Sequence, residues 1–151
     1  MFYDQLSNQQ TAKKALEILV NSGKGFVVLT PKEKQTLLVA FARKSMVLYG
    51  RAFDIVKTNK KIDFTNEAEI LANLKNITVC EVKSTNRKNM PKDSAGYFFD
   101  FTTSELLVAQ SLKDRYKIVF VNTITKHFTE LTLNQVFAKA KGIYPKWAIR
   151  F

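Results

Sequence analysis

Ile77-Thr78-Val79-Cys80-Glu81-Val82-Lys83-Ser84 is the stretch on which the fold turns. Its apolar and β-branched residues, bounded by Asn76 before and by the polar run Thr85-Asn86-Arg87-Lys88-Asn89 after, predict a strand. Alternate side chains of a strand point to opposite faces, so Glu81 and Lys83 project together while Cys80 and Val82 project the other way. A carboxylate and an ammonium then share one face at the end of an apolar strand, where an unpaired charge is costly to desolvate. Phosphodiester hydrolysis uses this pairing: carboxylate oxygens hold a hard divalent cation, and a nearby lysine orients water and stabilises developing charge as the ammonium, or deprotonates water as the neutral amine. Composition alone would supply roughly two acid-x-Lys triplets. Only this one occurs, so its weight rests on its place in the strand. The competing reading is a half-buried Glu–Lys pair with a structural role.

Upstream, Ala52-Phe53-Asp54-Ile55-Val56 predicts a second strand, with Phe53 and Ile55 on the face opposite Asp54. If the two strands are neighbours, Asp54 converges with Glu81 and Lys83. Asp63 competes for that role, although it fits better as the cap of a helix beginning near Thr65. Thr30-Pro31-Lys32-Glu33 is a capping box opening a helix to about Leu48, with Leu37, Leu38, Phe41, Ala42 and Leu48 inward and Lys34, Arg43 and Lys44 outward. Before it come a helix over residues 9–21, ended by Ser22-Gly23-Lys24-Gly25, and a short extended run over 26–29. A short helix is expected over 66–74. Downstream, the pattern predicts a strand over 97–101 with Tyr97 its exposed member, a helix from Thr102 to about Asp114, and a buried strand over 116–121. A short strand over 127–130, a helix over 133–141 and an extended run Trp147-Ala148-Ile149 follow. The order implies an α/β fold, a mixed central β-sheet flanked by helices, in one domain over 1–151 with its core at about 31–122.

The 24 Lys+Arg against 13 Asp+Glu give a net charge of +11. Such an excess attracts polyanions through counterion release, so DNA is the expected partner, with RNA also open. Lys57, Lys60 and Lys61 after the Asp54 strand, and Arg87, Lys88 and Lys92 after the Glu81 strand, would hold phosphates if both loops open on one edge. No run approaches the roughly 20 apolar residues of a membrane span, and Met1-Phe2-Tyr3-Asp4-Gln5 has neither a basic start nor an apolar signal core. Cys80, the only cysteine, can form no internal disulfide. A cytoplasmic setting is therefore expected. His127 is the only histidine, which argues against a zinc site or a His relay.

The helix before Phe53-Asp54-Ile55, the run Cys80-Glu81-Val82-Lys83-Ser84-Thr85, the segment 99–105 and the strand 116–121 together resemble the PD-(D/E)XK nuclease superfamily. More narrowly they are similar to small restriction-endonuclease-like domains of the NO VEIN C-terminal type. The resemblance implies Asp54 as the motif aspartate, Glu81 as the second acidic metal ligand, Lys83 as the catalytic lysine and the Val82 backbone carbonyl as a further metal ligand. It also implies Mg²⁺, with Mn²⁺ able to substitute. In this chain the stretch between Asp54 and Glu81 is longer than the usual hairpin and carries a helix. Glu105 and Gln110 stand where related nucleases place an auxiliary acid or amide, and Glu105 also suits a capping box. The expected function is a Mg²⁺-dependent endodeoxyribonuclease, acting as a homo-oligomer where both strands are cut. The alternative is a non-catalytic nucleic-acid-binding module, or a subunit of a restriction or defence complex, with the same fold. Lys83→Ala is expected to abolish cleavage while leaving folding and binding nearly intact.

Overall fold

The computed structural model describes residues 2–151, with side chains from Asn8 onward. Met1, where the N-terminal stretch read above begins, lies outside the described residues. The elements run α1 (Phe2–Asn21), β1 (Phe26–Val27), α2 (Pro31–Arg43), β2 (Ile55–Thr58), α3 (Glu67–Ala72), β3 (Ile77–Thr85), α4 (Thr103–Leu112), β4 (Tyr116–Asn122), β5 (Phe128–Leu131) and α5 (Leu133–Lys139). The strands form one five-stranded sheet in the order β1-β2-β3-β4-β5. β3 and β4 are parallel and every other pair is antiparallel. The class is α/β, a mixed sheet flanked by helices. A parallel pair needs a long crossover, and here it carries α4.

Local chemistry sets the helix starts. Thr30, Thr102 and Thr132 each cap a helix through a complete capping box, closed by Glu33, Glu105 and Gln135 respectively. Period-two alternation then divides the sheet's apolar residues between two faces. Leu19 of α1 packs with Ile55, Cys80 and Val119 on one face. Leu37 and Phe41 of α2 and Val108 of α4 pack with Val56, Val79 and Ile118 on the other. Cys80 is accordingly a core side chain behind the strand, and burial pushes its thiol pKa up.

Three expectations change. α2 stops at Arg43 rather than near Leu48, because Ser45 adopts φ 55°. The Met46 N–H then bonds back to the Phe41 carbonyl at 3.0 Å and the Ser45 N–H to that of Ala42 at 2.9 Å, a Schellman ending made without glycine. Residues 97–101 form no strand and join no edge of the sheet. Their alternation serves packing instead: Tyr97 and Phe99 meet the Phe120 ring at 5.5 and 4.9 Å. Tyr97, whose hydroxyl donates to the Ser84 carbonyl at 2.5 Å, is half-buried, and Phe98 is the exposed member.

Gly25 (φ +90°) lies so near β2 that a Cβ there would sit 2.1 Å from the Thr58 carbonyl oxygen. Gly25→Ala should therefore cost about 2–4 kcal/mol, from left-handed strain plus overpacking. Ser45→Gly should add roughly 0.5–1 kcal/mol by relieving the strained helix end. Urea denaturation of both variants checks the two opposite signs.

Candidate active site

The β2–β3 ladder ends where Ile55 faces Cys80. The preceding residues 50–52 make a 3₁₀ turn, and the chain bends at Asp54 instead of continuing along β3. Asp54 completes the edge with its own groups: its N–H donates to the Cys80 carbonyl at 2.9 Å, and its Oδ2 accepts the Val82 N–H at 2.9 Å. In a strand the N–H and carbonyl of one residue point to the same side, so the Val82 carbonyl also opens toward Asp54. The bend corrects the expected facing. Phe53 joins the Val56 side of the core and Ile55 the Cys80 side, so they do not share a face. The approach to Asp54 is anchored by the buried Tyr116 hydroxyl, which donates to the Ala52 carbonyl at 2.6 Å. Burial, reinforced by the nearby carboxylates, holds that phenol far above its usual pKa.

Glu81 and Lys83 share a face as the two-residue period requires, with Lys83 Nζ 3.4 Å from Glu81 Oε1. A shorter bond, 2.6 Å, joins Lys83 Nζ to Glu105 Oε1. Glu105 is only 2% exposed, and its other oxygen accepts from the Thr102 N–H at 3.0 Å and the Thr102 hydroxyl at 2.7 Å. Glu105 thus caps α4 and binds Lys83 with the same carboxylate. Lys83 also lies 5.7 Å from the centre of the Phe101 ring.

Burial works against every charge in this cluster, and the neighbours decide the outcome. Burial raises Glu81, the Asp54 and Glu105 carboxylates add to the rise against the opposing Lys83, and its pKa reaches about 9. Burial pulls Lys83 down, but Glu105 and Glu81 outweigh it and the pKa ends above the ordinary value. Burial likewise raises Glu105, yet Lys83 and Thr102 bring it below the ordinary carboxylate value. At neutral pH the cluster therefore holds a protonated Glu81 beside a charged Lys83–Glu105 pair. Lys34 joins them: its Nζ donates to the Phe53 carbonyl at 2.8 Å and lies over the Phe53 ring at 4.2 Å. Burial lowers its pKa, opposed by Asp54 and Glu81.

Sequence reasoning turned Lys34 outward. The missed signal is its spacing, three and four residues before Leu37 and Leu38, which puts it on the apolar stripe. Asp63 is not a partner of Glu81. It lies beyond Thr58, whose own partner is Ile77 at the far end of β3, and its Oδ1 accepts from the Thr65 N–H and hydroxyl at 2.9 and 2.6 Å. Nor does it cap α3, which Asn66 does. The two basic loops do not meet either. Antiparallel pairing sends Lys57, Lys60 and Lys61 to the start of β3, while Arg87, Lys88 and Lys92 follow its end, and the nine residues of β3 span roughly 30 Å. Lys57 is also engaged on the α1 side, 2.7 Å from Glu130. Of the basic set, Arg87 lines a cleft of about 380 Å³ that includes Lys83 and Asn86. Gln110 is exposed on α4 away from Glu105's buried side. Lys83→Ala would not leave folding intact as expected, because it strands the buried Glu105, a loss of about 3–5 kcal/mol.

Among the described residues, no three His, Cys, Asp or Glu side chains close around one point as a ready metal cage. Asp54, whose Oδ2 accepts the Val82 N–H, and Glu81, one residue earlier on β3, are the carboxylates that could serve a cation here; with the Val82 carbonyl they would offer oxygen donors only, the chemistry Mg²⁺ takes. A carboxylic acid held near pKa 9 beside a second carboxylate is also a group whose ionisation a cation would favour. Among the described residues, no helix is long and apolar enough to cross a membrane. No family model matches the chain, and no curated protein or solved structure does.

The raised Glu81 pKa has a stability consequence. From about pH 4.5 to about pH 9 the folded protein keeps a proton that the unfolded chain has released, so this contribution is complete below that window and is lost as pH rises through it. Denaturant titrations across the window should find wild-type stability falling more steeply with pH than that of Glu81→Gln. Equal slopes would mean that Glu81 titrates normally.

Proposed function

We propose that the chain is a metal-dependent nuclease of the PD-(D/E)XK type that hydrolyses DNA phosphodiester bonds with an activated water. The observation that carries this reading is that Asp54 takes the Val82 N–H, between Glu81 and Lys83, where β2 turns away from β3. Asp54, Glu81 and the Val82 carbonyl would hold the cation. Bound there, Mg²⁺, or Mn²⁺ in its place, supplies Lewis-acid polarisation of the phosphoryl oxygen and activation of water.

The protein's own residues divide the remaining work. Lys83, kept charged by Glu105, donates hydrogen bonds and positive charge to the scissile phosphate and the attacking water, and is not the proton acceptor. Lys34 keeps a second ammonium near the carboxylates and fixes the turn that carries Asp54. Arg87 holds a flanking phosphate at the cleft, supported by the net charge of +11. A buried free thiol at Cys80 is in keeping with a reducing, cytoplasmic setting.

The second reading, a non-catalytic nucleic-acid-binding module, is favoured by one observation: the Lys83 ammonium is already committed to Glu105 at 2.6 Å. Cleavage and binding assays separate the two, with DNA and RNA oligomers, Mg²⁺ or Mn²⁺, and the variants Asp54→Asn and Lys83→Ala/Glu105→Gln. The double change removes the ammonium without stranding the buried carboxylate. On the nuclease reading both variants stay folded, bind DNA and lose cleavage by about 100-fold or more. Salt-sensitive binding by the wild type with no metal-dependent cleavage supports the binding module, and full activity in Asp54→Asn removes the site.

A further inference from the structure

Beyond α5 the chain forms no further helix or strand, and residues 140–151 run along the surface. Tyr144, Trp147 and Phe151 are exposed there, Trp147 by 86%. Lys141, Lys146 and Arg150 are interleaved with them, and the segment has no acidic side chain. Two bonds hold this part of the chain against the loop before α4: Lys139 Nζ donates to the Asp93 carbonyl at 2.7 Å, and Lys146 Nζ to Asp100 Oδ2 at 2.5 Å. Asp100 precedes Phe101, on whose ring Lys83 rests. Phe98, in the same loop, is 75% exposed and lines the cleft that contains Lys83 and Arg87.

We propose that the 140–151 segment, together with Phe98, is a binding platform for single-stranded nucleic acid, with bases stacking on the exposed rings and phosphates meeting the interleaved cations. The inference rests on the nucleic-acid reading of the site and deepens it by naming the strand state of the substrate. Alternation of aromatic and basic side chains is what a sequence-tolerant single-strand surface requires, since every base offers a π-face and every linkage a charge. A duplex has its base faces already covered and gains only the charge interaction. The segment is non-helical and contains Pro145, so it does not present the single apolar face with which an amphipathic helix lies in a membrane interface. A second copy of the chain would bring like charge against like charge, +11 on +11.

Trp147 is the only tryptophan, so its emission reports on this segment alone. The full chain, in EDTA and at low salt, is titrated with oligo(dT), a blunt duplex of equal length, heparin and phosphatidylserine vesicles. Anisotropy of labelled oligo(dT) follows the variants Trp147→Ala and Trp147→Phe. The expected result is quenching by oligo(dT), about tenfold weaker binding of the duplex, about tenfold loss in Trp147→Ala and recovery in Trp147→Phe. Equal responses to heparin and oligo(dT) would reduce the segment to a charge patch and overturn the proposal. So would a blue shift with vesicles and no response to oligo(dT), or a concentration-dependent shift without ligand. Because no divalent metal is present, single-strand binding without cleavage in the separate assay counts against the nuclease reading alone. Cleavage with an unresponsive Trp147 counts against this platform alone.

Discussion

An ammonium and a carboxylate, both withdrawn from water and 2.6 Å apart, join the third-from-last residue of β3 to the first turn of α4: Lys83 to Glu105. Taking two charges out of water is expensive, and the loss is offset only where geometry is good and the remaining lone pairs are satisfied. Here Thr102 satisfies the second oxygen of Glu105, and the pair survives as ions. The same pair fixes where the crossover helix begins relative to the strand it has left. Its carboxylate also adds to the field that keeps a proton on Glu81. Helix position, lysine charge and glutamate protonation are therefore aspects of one interaction.

The second constraint is the early end of β2. Had the hairpin continued past Ile55, backbone groups would face Val82 and leave no room for a side chain. The bend replaces backbone with carboxylate, and the Val82 N–H is satisfied by Asp54 instead. Lys34 and Tyr116 hold the bend from opposite sides of the chain, through the carbonyls of Phe53 and Ala52. An acid that a regular ladder would exclude is thus kept beside Glu81 without leaving a buried donor unpaired.

Much of this was legible in sequence because it is short-ranged. The β-branched run makes β3, the two-residue period puts Glu81 and Lys83 on one face, and the Thr-x-x-Glu spacings start α2 and α4. Asp54 was preferred over Asp63 on the strength of its strand, and the two prove to lie toward opposite ends of β3. What failed depends on direction and distance. Antiparallel pairing of β2 with β3 separates the two basic loops, and odd spacing from Asp54 puts Lys57 on the other face. Residues 97–101 have a strand's alternation, but their rings pack on Phe120 and the segment pairs with no strand. Sequence offers Glu105 as a cap and, through the resemblance, as an auxiliary acid; its bond to Lys83 was not legible because it spans 22 positions.

The three capping boxes offer a comparison within the molecule itself. At α5 the box is closed by Gln135, whose amide oxygen accepts the Thr132 N–H at 2.9 Å, much as Glu105 accepts that of Thr102 at 3.0 Å. A neutral amide is thus sufficient to begin a helix in this fold. The negative charge at the start of α4 is surplus to capping, and its burial makes sense only through the lysine it faces. Variation from Glu to Gln at this one position would keep the cap but leave the Lys83 ammonium without its nearest counter-charge, so the position couples scaffold to chemistry through charge and not through helix capping.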